Sequence, residues 1–152
     1  MHSSIDSSAD FGRAAREIVS RSVAAVGLAG IALIHLLDAL GKFHETPYMG
    51  WMYVGLIISC LVLAATLLHT SAREAWLATI VLAGSAIAGF TLTRTVGLPQ
   101  ARGDIGNWSE PLGLASLFVE GTVIAISGYV LALLSPARAF ARGGRVAFAG
   151  AR

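Results

Sequence analysis

Four long apolar stretches dominate the pattern of hydrophobic and polar positions along the chain. They cover residues 22–40, 51–69, 75–93 and 112–134, and the second and third contain no Asp, Glu, Lys or Arg. An apolar run of about 20 residues can cross the bilayer core as a helix, and helices satisfy their backbone groups within the segment. The pattern therefore predicts an all-α fold, a polytopic integral membrane protein with a four-transmembrane-helix bundle.

The segments on either side of the apolar stretches are short. In residues 1–21, apolar and charged positions alternate from residue 11 onwards, which predicts a short amphipathic N-terminal helix on the cytoplasmic membrane surface. Residues 22–134 form the predicted transmembrane domain. Residues 135–152 contain Gly and Arg and are expected to form a basic cytoplasmic tail.

The connection between the third and fourth stretches is unusually long for a helical bundle. It covers residues 95–111, whereas two to eight residues are usual in such bundles. Glycines and prolines punctuate it, and residues 104–108 have the composition of an ordered turn. We expect a structured lid, with Ser109 or Glu110 capping the last helix and Pro111 in its first turn.

Positive charges predict how the chain is threaded. Eight of the Lys and Arg residues fall on one side of the four stretches, and Lys42, Arg94 and Arg102 fall on the other. Because cytoplasmic segments carry the excess of positive charge, both termini are expected in the cytoplasm and the protein in the cell membrane. The first stretch is long and lacks a small-residue cleavage site, which favours a span over a cleaved signal peptide.

Aromatic residues agree with these boundaries. Tyr48, Trp51, Tyr53 and Trp108 would lie at the outer membrane interface and Trp76 at the inner one, where amphipathic rings are enriched. Their joint placement supports the four spans more than any single ring does.

Composition excludes several classes of protein. Of the 152 residues, 55% are hydrophobic and only 13% are charged, about half the charged share of a soluble domain. The single cysteine excludes a disulfide framework and a thiolate zinc site. A net charge of +2 gives no support for nucleic-acid binding. The expected partners are the lipid bilayer and either another membrane protein or further copies of this chain.

Three ionisable residues fall within the spans, where burial of such groups is expensive and points to function. His35, Asp38 and Glu120 are all expected in the outer leaflet. The expected ion pairs are Asp38 with Lys42 or Arg94, and Glu120 with His35. Gly113, Ser116, Glu120 and Ser127 share one face of the last helix, which should turn Glu120 inward. Asp104 and Glu110 add further charge on the same side.

The same side of the chain offers candidate metal ligands. Imidazole and carboxylate groups suit a divalent metal ion, and the candidates are His35, Asp38, Glu120, His44 and Glu45. Met49 and Met52 form an MxxM sequence near His44, and thioether with imidazole favours copper(I). No tight HxxxH or ExxH pair is present, so the spacing does not single out a site.

Three functions are open at this point. The sequence favours a non-enzymatic accessory or oligomerising subunit of a membrane assembly, because no nucleophile–base pair, phosphate-binding loop or cofactor motif is visible. The first alternative is a membrane enzyme or redox component with an outer-leaflet metal site. The second is a small proton-coupled transporter that uses Glu120, since a carboxyl within a span can exchange protons.

Overall fold

The computed structural model describes residues 3–135 and contains four long α-helices. All four are long and apolar enough to span a membrane, as the sequence predicts. The predicted basic tail lies outside the described residues, apart from Ser135. The elements are α1 (Ser3–Glu45), α2 (Pro47–His69), α3 (Arg73–Thr95), a 3₁₀ turn (Arg102–Asp104) and α4 (Pro111–Leu134).

The helices form a ring in which each packs against two neighbours. Helix α1 packs against α2 and α4, while α3 packs against α4 and, less closely, against α2. Small and aliphatic side chains fill the centre, among them Ala24, Leu28 and Ala83. We call the end at which α1 and α3 finish and α2 and α4 begin the lid end, because residues 96–110 cross it. Residues 96–110 are the lid.

Helix α1 is one continuous helix, so the predicted separate amphipathic helix is wrong as an independent element. Its 43 residues extend about 65 Å, roughly twice the thickness of the bilayer core. The sequence contains no proline before Pro47, and so nothing forces a break between the amphipathic segment and the first span. The predicted surface helix is therefore the first part of α1.

The connection predicted at residues 41–50 is also much shorter than expected. Helix α1 continues to Glu45 and α2 starts at Pro47, which leaves Thr46 as the only residue between them. The Thr46 N–H donates to the Lys42 carbonyl at 2.8 Å, and the Thr46 carbonyl accepts from Met49 at 3.0 Å. Proline is favoured at the first position of a helix and disfavours a helical residue before it, so Pro47 sets the boundary.

The opposite end of the bundle is fastened by Arg21. Its guanidinium donates to the carbonyls of Leu67, at 2.5 Å, and of Leu68, two groups that the end of α2 leaves without helical partners. Trp76 lies nearby in the first turn of α3 and is fully buried in the core, so its ring packs inside the bundle rather than against lipid. Trp76 faces the bundle because it lies on the inward face of α3, with Ala83 two turns later.

Candidate functional site

A cavity of about 330 Å³ lies between the four helices at the lid end. Every helix and the lid contribute to its wall. It brings together most of the polar residues that the sequence singles out, although they come from distant parts of the chain. Those in the wall are His35, Asp38, Lys42, Met49, Met52, Arg94, Asp104, Glu110 and Glu120.

The mouth of the cavity carries a network of ion pairs. Arg94 is only 5% exposed and pairs with Asp104, at 3.3 Å, and with Glu110. Lys42 reaches the same Asp104 oxygen at 3.3 Å and also pairs with Glu45 at 3.2 Å. Two cations therefore share three carboxylates, and the network joins α1 and α3 to the lid.

The lid is ordered by its own backbone, as its turn residues predict. Gly97 and Gly106 adopt φ values of 72° and 80°, a region that glycine enters without strain. The Gly106 N–H donates to the Arg94 carbonyl at 2.9 Å, which returns the chain to the end of α3. The Tyr48 hydroxyl donates to the Pro99 carbonyl at 2.7 Å and holds the lid to α2.

Glu110 occupies the N-cap position of α4, and Pro111 lies in the first turn, as predicted. The Glu110 side chain makes no capping hydrogen bond and pairs with Arg94 instead. The arginine also lies over the Phe90 ring, 4.7 Å from its centre. The start of α4 is thereby tied to the end of α3 by charge.

The wall below the mouth contains a second polar group built around Tyr53. Its hydroxyl donates to Asp38 at 3.2 Å, and its ring meets the His35 ring edge-on with centres 4.9 Å apart. His35 Nδ1 lies 2.9 Å from the Ile31 carbonyl, one turn earlier in α1. That bond turns Nδ1 away and leaves Nε2 as the ring nitrogen that is not engaged with the helix backbone.

Glu120 is the most deeply placed acid in the cavity wall, with 1% of its surface exposed. Ser116, one turn earlier on α4, donates to Oε1 at 2.7 Å. Among the described residues, nothing hydrogen-bonds to Oε2. The predicted stripe on α4 does turn inward, since Ser116, Glu120 and Ser127 are all buried.

The predicted ion pairs within the cluster are wrong. Asp38 pairs with neither Lys42 nor Arg94 in the described structure, and Glu120 does not pair with His35. Both cations are occupied at the mouth, because the lid folds back over α3 and presents its own acids to them. Asp38 and Glu120 are consequently left with hydroxyl partners, while Lys42 and Arg94 are neutralised by the acids at the mouth.

The five predicted metal ligands are not assembled. His44 and Glu45 are exposed and do not line the cavity, unlike His35 and Glu120. Within residues 3–135, no three His, Cys, Asp or Glu side chains converge as ligands for an ion. The extension of α1 to Glu45 is the physical reason, since a helix in place of the expected loop fixes His44 on its outer surface.

The predicted copper ligands are only partly together. Met49 and Met52 both line the cavity, with Met49 buried and Met52 61% exposed. His44, the imidazole expected to join them, is exposed outside the cavity wall. The two thioethers therefore serve as apolar wall.

The sequence pattern does not indicate a role in the site for Tyr53 or Phe90. Tyr53 holds Asp38, and Phe90 lies beneath Arg94. A one-residue turn at Thr46 places residues at similar distances before and after it side by side, which pairs Asp38 with Tyr53. With the expected ten-residue loop, this pairing of Asp38 with Tyr53 could not be predicted. Pro47 nevertheless indicated that α2 starts early.

Comparison with family models, with curated protein sequences and with solved structures gave no match for this chain. The distinguishing feature of the site is the buried acid Glu120, one of whose carboxylate oxygens has no hydrogen-bond partner within residues 3–135. It lies at the inner end of a cavity whose cations, Lys42 and Arg94, are paired at the mouth.

Proposed function

We propose that this chain is an integral membrane protein that binds a small organic cation in its cavity in exchange for a proton on Glu120. The helices would lie in the cell membrane with both termini in the cytoplasm, so the lid end would face outward. The protein would act as the binding unit of a small proton-coupled transporter.

The membrane location and direction rest on the chain itself. Each of the four helices has the length and apolarity of a membrane span. Positive charge concentrates at the end opposite the lid, and the excess of positive charge marks the cytoplasmic side. The large apolar side chains that the bundle exposes, such as Val26, Ile58 and Phe118, suit lipid contact.

One observation carries the proposal: Glu120 lies in the cavity wall, is 1% exposed and has one carboxylate oxygen without a described partner. A buried carboxylate without a counter-cation is expensive at this depth, so Glu120 would hold a proton when the cavity is empty. A bound cationic ligand would supply the missing counter-charge, so the Glu120 carboxyl would then release its proton. Cation and proton therefore compete for one site.

The rest of the cavity suits an organic cation better than a bare metal ion. The space of about 330 Å³ is far larger than an ion, and its wall includes the apolar Leu56 and Leu82. Aromatic rings of Tyr53 and Phe90 also face it, and such rings attract cations. Asp38 adds a second acid without a cation partner among the described residues.

The test is calorimetry of the purified full chain in lipid nanodiscs with benzyltrimethylammonium, whose charge does not depend on pH. We expect binding to release protons, which is counted by repeating the measurement in buffers of different ionisation enthalpy. Affinity should fall as pH falls, because protons compete for Glu120. Glu120→Gln should weaken binding about tenfold or more and reduce its pH dependence to what His35 and Asp38, in the same wall, contribute.

Glu45→Gln is the matched control, because Glu45 is an exposed acid at the same end and does not line the cavity. It should leave binding and proton release unchanged. Since a neutral Gln resembles a protonated Glu, Glu120→Gln should also leave thermal stability nearly unchanged. The proposal would be overturned if the original chain bound the cation independently of pH and Glu120→Gln bound it equally strongly.

Two other predicted functions stay predictions. The apolar outer faces suit lipid and partner helices equally, so they do not favour an accessory or oligomerising subunit over a lone bundle. A metal-dependent enzyme or redox component finds no converging ligand set in residues 3–135. Metal analysis of the purified protein tests this second function directly.

A further inference from the structure

A groove on the side of the bundle meets the cavity. It lies between α2 and α3 and has a volume of about 450 Å³. Some of residues 58–63 of α2 and some of residues 78–85 of α3 form its walls. Ser59, Leu82 and Ser85 belong to the walls of both the cavity and the groove. The two spaces therefore share one boundary, formed by these three side chains.

The seam between α2 and α3 is the most open of the four in the ring. These helices pack less closely together than α1 with α2, α3 with α4 or α1 with α4. A Cβ atom built on Gly89, which lies in the cavity wall one turn after Ser85, would meet no other atom within 4 Å. Space therefore continues along α3 from Ser85 into the cavity.

The groove presents an apolar surface, although two serines line it. The Ser59 hydroxyl donates to the Gly55 carbonyl at 2.8 Å, and the Ser85 hydroxyl donates to the Leu82 carbonyl at 2.7 Å. Both hydroxyls are thus satisfied within their own helices. The remaining wall is aliphatic and includes Val62. An alkyl chain fits this surface without leaving a polar group unpaired.

The shared boundary lies at the depth of Glu120. With a rise of about 1.5 Å per residue, Ser59, Ser85 and Glu120 all lie roughly 13 to 18 Å from the lid ends of their helices. That depth falls within the hydrocarbon of a bilayer about 30 Å thick. The groove would therefore open to lipid chains, while the mouth under the lid is crossed by the ion pairs of Arg94.

We infer that the ligand is an amphiphilic amine with a single alkyl chain, whose charged nitrogen lies at Glu120 and whose chain leaves the bundle through the groove between α2 and α3. The inference rests on the proposed function for its charged end. The groove supplies the other end, and a path into the cavity from the hydrocarbon near the middle of the bilayer.

The test uses a photoreactive probe, a dodecyltrimethylammonium with a diazirine at the end of its chain, and the full chain in nanodiscs. Labelled residues are identified by mass spectrometry. We expect labels on the groove segments of α2 and α3, competed away by excess tetramethylammonium and lost in Glu120→Gln. Val62→Trp should fill the groove and reduce labelling at least about fivefold, with tetramethylammonium affinity unchanged.

Leu61→Trp is the matched control, because Leu61 neighbours Val62 and is similarly exposed but does not line the groove. It should label like the original chain. Competed labelling on the outer face of α4, for example at Phe118, would overturn the inference and leave the proposed function standing. Labelling of all lipid-facing helices that tetramethylammonium does not reduce would overturn both.

Discussion

Replacing Arg94 by Gln should destabilise the protein because it leaves Glu110, the acid at the start of α4, without its ion-pair partner. Glu110 has Arg94 as its ion-pair partner, whereas Asp104 keeps Lys42 at 3.3 Å. Losing one member of a buried pair costs about 3–5 kcal/mol, and an exposed pair is worth at most about 1 kcal/mol. The Glu110 and Asp104 side chains are 28% and 22% exposed, so the loss lies between these limits.

We expect Arg94→Gln to lower the free energy of unfolding by about 2–3 kcal/mol, including the lost contact with the Phe90 ring. Adding Glu110→Gln should recover more than half of that loss, because the double variant no longer contains the unpaired Glu110 carboxylate. Unfolding in mixed detergent micelles, followed by circular dichroism, gives these differences.

Arg102→Gln is the control for this experiment. Arg102 also belongs to the lid, is exposed and makes no ion pair with any described residue. It should change stability by no more than about 0.5 kcal/mol. If Arg94→Gln costs no more than Arg102→Gln, or if the second substitution deepens the loss, the ion-pair network does not hold the lid.

Two further substitutions test the packing away from the lid. Arg21→Gln should cost about 1.5–3 kcal/mol, since it leaves two terminal carbonyls of α2 without their charged donor, while the exposed Arg13→Gln should be nearly neutral under the same unfolding assay. Gly27→Ala should cost about 1–3 kcal/mol, because the added methyl would collide with Val123. Val123→Ala in the same chain should relieve that collision. Gly84→Ala is the control and should not lower the free energy of unfolding by a collision, because a Cβ atom at Gly84 meets no other atom within 4 Å. Additive effects of the Gly27 and Val123 changes would contradict the close contact.

The long apolar stretches determined the third and fourth helices almost to their ends. The predicted stretches 75–93 and 112–134 correspond to Arg73–Thr95 and Pro111–Leu134. Such agreement is expected because a run of about 20 apolar residues has few alternatives to a helix that buries its own backbone bonds. The glycines of the lid likewise showed in advance that it would be ordered, through the turns that they permit.

The sequence also indicated which polar residues would meet, although not how they would pair. His35, Asp38, Arg94 and Glu120 all line the cavity, as their matched depths suggest. Their partners depend on the one-residue turn at Thr46 and on the path of the lid. A sequence pattern gives the depth of a residue along its helix, but the neighbour across the bundle follows from helix rotation and loop geometry.

Only the tertiary structure decided where the charges settle. The lid folds back through Gly97 and Gly106 and delivers Asp104 and Glu110 to Arg94, which removes that cation from the interior. Ion pairing is short-ranged in its strongest form, so a few ångströms of loop placement determine which acid is neutralised. For this reason Glu120 keeps a serine hydroxyl on one carboxylate oxygen, and the other has no hydrogen-bond partner in the part of the chain that the structure describes. The place of Glu120 in a cavity is a property of the packed bundle rather than of α4 alone.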